Sequence, residues 1–285
     1  VNKFNYLIKK ILDSEFLNEP FKHIVINDFL KEEHFEELIK DSQIHFREAN
    51  DLEDLLCLLR EKKYKVQDFP GCTSNLDEYI LNYKSNSFPK NRRGTPVSSY
   101  GITFRLSKIQ NKTIKELIDF MNSTVFQSAL EKKFKIIKKT NIITAIQKNL
   151  SHYEISPHPD IRGKALTYLL NINKFDYIEQ EPVHTHLLKF HNKWKPVKDF
   201  WQNNTKIERT WVPWEWCQTI KTTKYNNSIV LFAPSNDTLH AAKMIYNHNK
   251  FQRTQIYGNL MYEEKKRLQK FDWKQLEQWK EKWKK

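Results

Sequence analysis

The chain opens with an apolar repeat of helical period. Phe4, Leu7, Ile8, Ile11 and Leu12 share one face and predict an amphipathic helix. Pro20 closes that region, and residues 23–26 read as a short strand. Asp28 is placed to cap a second helix whose inner face carries Phe35, Leu38 and Ile39. Leu52, Leu55, Leu56 and Leu59 predict a third helix over 51–62, and Pro70-Gly71 signals a turn after it. Residues 101–106 alternate like a strand. Ile114, Leu117, Ile118, Met121, Val125 and Leu130 then recur at helical spacing, predicting one long helix over 113–134 with these side chains facing inward.

From Ile136 onward the period changes. Residues 136–146 hold β-branched runs that suit strands, and 165–173, 217–222, 228–232, 240–245 and 254–261 read the same way. Tyr225-Asn226-Asn227 is expected as a hairpin turn. Residues 175–216 form a polar, Trp-rich insertion. Strands of this number and spacing, following helices, predict an α+β chain with a mainly β core. The expected architecture is a double-stranded β-helix (a jelly roll) buttressed by helices on one face. No fixed-period repeat or low-complexity linker interrupts it, so residues 1–262 are expected to form a single domain. The tail, 263–285, carries Leu268, Leu276, Trp279 and Trp283 near one helical face among lysines. It is expected as a basic amphipathic helix packed on its own domain or on a twin subunit in a homodimer, with an anionic membrane surface as the alternative. Residues 89–96 read as an exposed basic loop, either a mobile cover over a site or an ordinary surface loop.

Composition adjusts this picture in two places. The 285 residues carry a formal net charge of +14 and a pI near 9.4, which invites an anionic partner such as nucleic acid. Lys greatly outnumbers Arg, however, and Asn and Ile are abundant, a mix that AT-rich coding produces. Lys also lacks the planar fork favoured for reading bases. A nucleic-acid partner is therefore the less favoured reading. Cys57, Cys72 and Cys217 are too few and too scattered for a disulfide framework or a Cys-rich zinc site. No run of 18 or more apolar residues predicts a membrane span, and residues 1–6 lack a secretory pattern, so a cytoplasmic location is the default expectation.

The candidate chemistry centres on His158-Pro159-Asp160 at the mouth of a strand. An imidazole and a carboxylate spaced this way can bind one metal from the same side. Two histidines and one carboxylate leave three positions of an octahedron open, which suits non-haem Fe(II). Downstream, the apolar run 228–232 leads through a turn to His240, and Arg253 opens a later strand.

The order His158-x-Asp160, His240, Arg253 resembles the Fe(II)- and 2-oxoglutarate-dependent dioxygenases, particularly the prolyl-hydroxylase-like branch. Residues 164–173 look like that branch's strand after the first two ligands, and 20–30 like its opening strand and turn. The resemblance covers about residues 20–262, loosely over 42–139 and 175–216. It implies that His158, Asp160 and His240 hold Fe(II) as metal ligands and catalytic residues. It also implies that 2-oxoglutarate chelates the metal and extends its far carboxylate to Arg253, and that O2 takes the remaining position. Thr254 or Gln255 could add a hydrogen bond to the cosubstrate, and Thr167 and Asn171, an even number of residues apart on one strand, share a face that could line its pocket. Asn171 stands where many members carry a tyrosine, and the spacing from His240 to Arg253 is slightly longer than usual. The implied activity is hydroxylation of an unactivated C–H bond, in an amino-acid-like small molecule or a protein side chain, with release of succinate and CO2. An oxidative nucleic-acid demethylase and a non-catalytic binding module on the same scaffold are the alternatives. His184-x-His186 with His191, within the insertion, could form a separate metal cluster; alternatively, His184-Thr185-His186-Leu187 resembles the family's Gly-Thr-x-Leu turn and could contact substrate. Trp211, Trp214 and Trp216 are candidates for an aromatic wall.

Overall fold

Six of the seven α-helices described precede residue 136, and eight of the twelve strands described follow it. The computed structural model describes residues 2–68, 75–87, 99–174, 179–264 and 267–270. Helices α1 (Tyr6–Asp13), α2 (Glu32–Lys40), α3 (Leu52–Glu61) and α4 (Leu76–Lys84) come first, with β1 (Ile24–Ile26) and β2 (Tyr64–Val66) between them. Strands β3 (Ser99–Tyr100) and β4 (Thr103–Leu106) precede helices α5 (Lys112–Met121) and α6 (Thr124–Phe134). Then follow β5 (Thr140–Asn149), β6 (Glu154–His158), β7 (Lys164–Asn171), β8 (Thr185–Phe190), α7 (Pro196–Asn203), β9 (Cys217–Thr223), β10 (Ile229–Phe232), β11 (His240–Lys243) and β12 (Arg253–Tyr262). Among the described residues no helix is long and apolar enough to cross a membrane.

The strands form two antiparallel sheets. The larger runs β1-β10-β7-β12-β5-β4-β2 and the smaller β3-β6-β11-β8-β9. From β5 to β8 the chain alternates between the sheets strand by strand. It stays in the smaller sheet for β9, then crosses to β10, back to β11 and across again to β12.

Side-chain alternation explains how the sheets pack. On β7, Leu166, Tyr168 and Leu170 join the core formed with α1, α3, α5 and α6, as do Ile229 and Leu231 of β10 and Ile256 and Leu260 of β12. The intervening residues Leu169, Val230 and Phe232 face the other way and meet Leu187 of the smaller sheet. Both faces of the large sheet are therefore covered, so β7 reads as a nearly unbroken apolar run. Gly258 of β12 sits opposite Tyr168 of β7. A Cβ there would lie 2.0 Å from the tyrosine ring, so only glycine lets the ring lie flat across the strand.

Several expectations change. Asp28 does not cap α2; it lies in a turn at φ 47°. The residue preceding the helix is Lys31, which makes no side-chain cap. Glu32 and Glu33 in the first turn face the positive end of the helix dipole instead. The helix over 113–134 is two helices. Asn122 ends the first, and the Ser123 hydroxyl caps the second by accepting from the Phe126 N–H at 3.3 Å. Val125 consequently points outward at 57 % exposure. The strand over 101–106 is interrupted at Gly101, where glycine is required: its φ is 79°, and a Cβ would lie 2.6 Å from the His152 carbonyl oxygen. Residues 175–216 are no mere insertion, because β8 within them is a central strand of the smaller sheet. Residues 225–227 make no hairpin: β9 and β10 lie in different sheets, so this turn is a crossover. Pro70-Gly71, the basic loop 89–96 and most of the tail, 265–266 and 271–285, lie outside the described residues.

One buried cation stands on the helical side of the large sheet. Lys148 of β5 donates from Nζ to the Ile44 carbonyl at 2.6 Å and to the Thr254 hydroxyl at 2.7 Å. Its ammonium lies 4.5 Å from the Phe46 ring centroid. Burial lowers its pKa to about 7, whereas in the unfolded chain it titrates near the usual value of about 10.4. Between these values the unfolded state holds more protons than the folded state, so stability rises with pH. We expect the unfolding free energy to increase by about 1 kcal/mol per pH unit from about pH 7 to 9 from this group. Urea titrations of the parent and of Lys148→Met across that range check it; the slope should flatten in the variant.

Candidate functional site

His158 ends β6 and His240 begins β11, and the two are directly opposed in the antiparallel ladder. Opposed residues place their side chains on one face at close range, and the two imidazole centroids lie 4.3 Å apart. Each ring is fixed from behind. His158 Nδ1 lies 2.8 Å from the Ser156 carbonyl and His240 Nδ1 lies 3.0 Å from the Thr238 carbonyl. A carbonyl only accepts, so each Nδ1 carries the proton and each Nε2 presents a free lone pair. Both Nε2 atoms face Asp160 at 3.7 Å. The three side chains are buried, and their ligand atoms all lie within 4.8 Å of one another. Free Nε2 lone pairs, carbonyl-anchored Nδ1 atoms and one carboxylate fit a divalent cation that takes nitrogen and oxygen donors.

Asp160 is held at φ 61°, a left-handed conformation that aspartate tolerates better than most residues. The turn is tied down where the Thr238 hydroxyl donates to the Pro159 carbonyl at 3.2 Å. The carboxylate is gripped on both oxygens: Lys164 Nζ donates to Oδ1 at 2.6 Å and the Thr167 hydroxyl to Oδ2 at 2.7 Å. Burial by itself raises the carboxyl pKa. The Lys164 ammonium and the two imidazoles outweigh it and hold Asp160 well below the usual carboxylate range. The lysine answers in kind: burial would lower it, but the Asp160 carboxylate keeps it above its ordinary value. Burial, reinforced by the neighbouring His240, lowers His158 to about 3. Burial also lowers His240. Both rings therefore stay neutral, the form a metal needs.

These residues open onto a cavity of about 350 Å³ between the sheets. Its floor comes from alternate residues of β12, namely Arg253, Gln255 and Tyr257, with Thr167 and Leu169 of β7. Arg253 is buried, and its fork is already oriented. Nη1 donates to Asn149 Oδ1 at 2.7 Å and Nη2 to the Thr185 hydroxyl at 2.9 Å. Burial lowers its guanidinium to about 10, which leaves it charged at neutral pH. Both partners are neutral, so its charge has no carboxylate counterpart among the described residues.

Of the residues expected at the site, His158, Asp160, His240, Arg253, Thr167 and Gln255 share this cavity, and Asn171 does not. The Asn171 amide donates to the Thr223 and Tyr225 carbonyls at 3.0 Å each, and its oxygen accepts from Gln255 Nε2 at 2.7 Å. It fastens the β9–β10 crossover and orients Gln255, so its polar atoms are committed away from the cavity. His184 and His186 flank Thr185 on β8, and Thr185 alone of the three lines the cavity. His184 lies 3.0 Å from the Glu179 carbonyl and His186 lies 3.0 Å from the Thr219 hydroxyl. His191 is no partner in a cluster with them: among the described residues the only metal-competent grouping is His158, Asp160 and His240. The tryptophans form no wall here. Trp216 stacks on Trp194 at 3.9 Å, Trp214 donates to Glu154 at 2.7 Å, and Trp211 is buried away from the cavity.

Sequence reasoning missed Lys164, Arg105 and Arg209, all of which line the cavity. Lys164 had a usable signal, since it opens β7 only four residues past Asp160. Arg209 had none, because it sits between elements.

No protein-family model matches this chain, and no curated protein does. Solved structures similar to it include a Pseudomonas putida prolyl-4-hydroxylase, at 7% identity and a TM-score of 0.44, covering 92% of this chain and 100% of that one. A Trichoplax adhaerens prolyl hydroxylase, in complex with a peptide fragment of the hypoxia inducible factor oxygen degradation domain, is similar at 12% identity and a TM-score of 0.43. The match covers 93% of this chain and 90% of that one. A Burkholderia pseudomallei oxidoreductase of the 2OG-Fe(II) oxygenase family is similar at 9% identity and a TM-score of 0.33, covering 79% and 98%.

The grip on Asp160 separates two substitutions. His158→Ala removes a ring whose loss leaves no buried charge behind. Asp160→Ala strands the Lys164 ammonium, and breaking a buried pair from one side costs about 3–5 kcal/mol. We expect metal-free Asp160→Ala to be the less stable variant and Asp160→Ala/Lys164→Met to recover most of the loss. Denaturant titration of the three variants checks this.

Proposed function

We propose that this chain is a non-haem Fe(II)- and 2-oxoglutarate-dependent oxygenase of the prolyl-hydroxylase-like kind, hydroxylating a C–H bond of a small molecule or a protein side chain. The observation that carries the reading is one cavity shared by the buried His158–Asp160–His240 triad, with both imidazoles neutral, and the pre-oriented cation Arg253, which has no carboxylate partner among the described residues. We read residues 1–262 as the oxygenase domain and its two sheets as a jelly roll. The strand orders β10-β7-β12-β5 and β6-β11-β8-β9 support this, because they interleave early and late strands as a double-stranded β-helix does.

His158 and His240 would offer Nε2 to the iron, and Asp160 a carboxylate oxygen. Bound there with 2-oxoglutarate and O2, the iron supplies oxidative decarboxylation to succinate and CO2 coupled to hydroxylation. The Ser156 and Thr238 carbonyls hold the histidine tautomers. Lys164 and Thr167 keep the Asp160 carboxylate aimed and ionised. Arg253, steadied by Asn149 and Thr185, would receive the far carboxylate of the cosubstrate through a bidentate charge-assisted pair. Gln255 lies on the same floor; one N–H of its amide is given to Asn171, and the other would be a further donor. Ile155, Leu169 and Ala242 line the cavity with apolar surface, and a drier site strengthens every charge interaction in it.

Arg253 should govern cosubstrate affinity and leave iron affinity alone. Truncating one partner of a desolvated charge pair costs about 2–5 kcal/mol, so Arg253→Ala should weaken 2-oxoglutarate binding by about thirty-fold or more. Arg253→Lys should recover part of this, since it restores charge without the fork. Anaerobic titration of 2-oxoglutarate into the iron-loaded protein, followed by the metal-to-ligand charge-transfer band, measures both variants. Unchanged affinity in Arg253→Ala would remove the cosubstrate assignment, and iron retention by His158→Ala would remove the metal assignment.

A further inference from the structure

The cavity holds more positive charge than the proposed chemistry uses. Arg105, Lys164, Arg209 and Arg253 line it, against the single carboxylate of Asp160. Iron(II) and dianionic 2-oxoglutarate would cancel each other, so the excess would persist after both were bound. Lys164 is matched by Asp160 and Arg253 is assigned to the cosubstrate. Arg105 and Arg209 remain.

Arg209 is 5% exposed, and its Nε makes no hydrogen bond. The adjacent Glu208 forms no ion pair with its guanidinium: Oε1 accepts from the backbone N–H groups of Arg162 and Arg209 at 2.8 and 2.9 Å, and the carboxylate acts on Arg209 as a neighbouring charge. Arg162 is occupied as well, donating from Nε to the Ile207 carbonyl at 2.9 Å and from Nη2 to the Trp201 carbonyl at 2.5 Å. Arg105 also has a buried Nε without a partner. Its guanidinium lies 5.4 Å from the centroid of the Tyr257 ring, which has the Lys164 ammonium 5.5 Å away. A buried guanidinium N–H without a partner costs stability, and such costs are kept where a ligand uses them. The sequence bears on this too. Arginine is scarce, nine residues within the 48 Lys and Arg, yet three of the nine line this one cavity. A general basic bias would fill it with lysine.

Resting on the oxygenase reading, we propose that the substrate of this site is a small organic acid, carrying a carboxylate or a phosphate monoester that Arg209 and Arg105 receive. Planar guanidinium forks suit both groups. The cavity lies near the lower end of the roughly 300–1,000 Å³ usual for small-molecule sites, and Arg209 is too enclosed to meet a polymer backbone at the surface. The apolar lining from Ile155, Ile161 and Leu169 would take the carbon skeleton.

The test uses full-length protein loaded with iron(II) under anaerobic conditions and saturated with 2-oxoglutarate, so that Arg253 is occupied. Calorimetric titration with hexanoate, pentyl phosphate and hexanamide compares two acids with a neutral probe of similar length. At least one acid should bind about tenfold more tightly than the amide, and the preferred acid identifies the group. Arg209→Gln and Arg105→Gln should each weaken that acid by about tenfold or more, with 2-oxoglutarate affinity within about threefold of the parent. Ligand-free Arg209→Gln should melt at the same temperature as the parent or higher. Equal binding of acid and amide, or unchanged acid affinity in both variants, overturns the proposal. So does a lowered melting temperature in Arg209→Gln with acid binding intact, which would make the arginine structural. If the parent fails to bind 2-oxoglutarate, the oxygenase reading is what fails. The acid titration repeated on Arg253→Gln without iron or cosubstrate then still decides whether Arg209 and Arg105 form an acid site.

Discussion

Strand β12 is the constraint on which the rest depends. Its ten residues pair with β5 along one edge, and seven of them pair with β7 along the other. Because side chains alternate, this pairing directs Arg253, Gln255 and Tyr257 into the cavity and Ile256 and Leu260 into the helical core. A slip of one residue would exchange the two sets, burying a guanidinium among helices. Gly258 under the Tyr168 ring fixes the register further, since no other residue of the strand could pass beneath that ring.

The site's second requirement is electrostatic. Two neutral imidazoles and an ionised carboxylate must coexist without water, and each is prepared by a different neighbour. Backbone carbonyls of Ser156 and Thr238 select the histidine tautomers, while Lys164 and Thr167 keep Asp160 charged. Lys148 on the opposite face of the same sheet shows the other outcome. With neutral partners only, burial drags its ammonium down to about 7. The contrast between Lys164 and Lys148 is a contrast of counter-charge, since both are desolvated.

Much of this was legible before any fold was known. The triad and Arg253 could be found because strand mouths and chain order constrain them, and the apolar runs over 165–173, 228–232 and 254–261 located three interior strands of the large sheet. Other features failed for identifiable reasons. Strand β8 hid inside a polar, Trp-rich stretch, because its outward positions carry His186 and Lys189 and only its inward ones signal burial. The break between α5 and α6 was masked by apolar spacing that continues across it, although Ser123 is a recognisable cap. Asn171 was placed on the correct strand, but partners distant in sequence, the Thr223 and Tyr225 carbonyls, decided what it does. Arg105 and Arg209 were invisible against a lysine-rich background, because convergence on a cavity is a property of three dimensions.

The place of β12 in the sheet has a consequence for how the chain reaches its native state. β12 is the last of the described strands in sequence, yet it lies between β5 and β7. Until it arrives, those two strands stand apart with facing edges of unpaired backbone N–H and C=O groups. During synthesis the gap stays open while the roughly one hundred residues separating β5 from β12 emerge, and open edges of this kind recruit other chains. A chain stopped short of Arg253 would therefore lack more than its anion-binding arginine. It would carry an unfilled slot through the middle of its larger sheet, and the natural occupant of that slot in a crowded solution is the same strand from a neighbouring molecule.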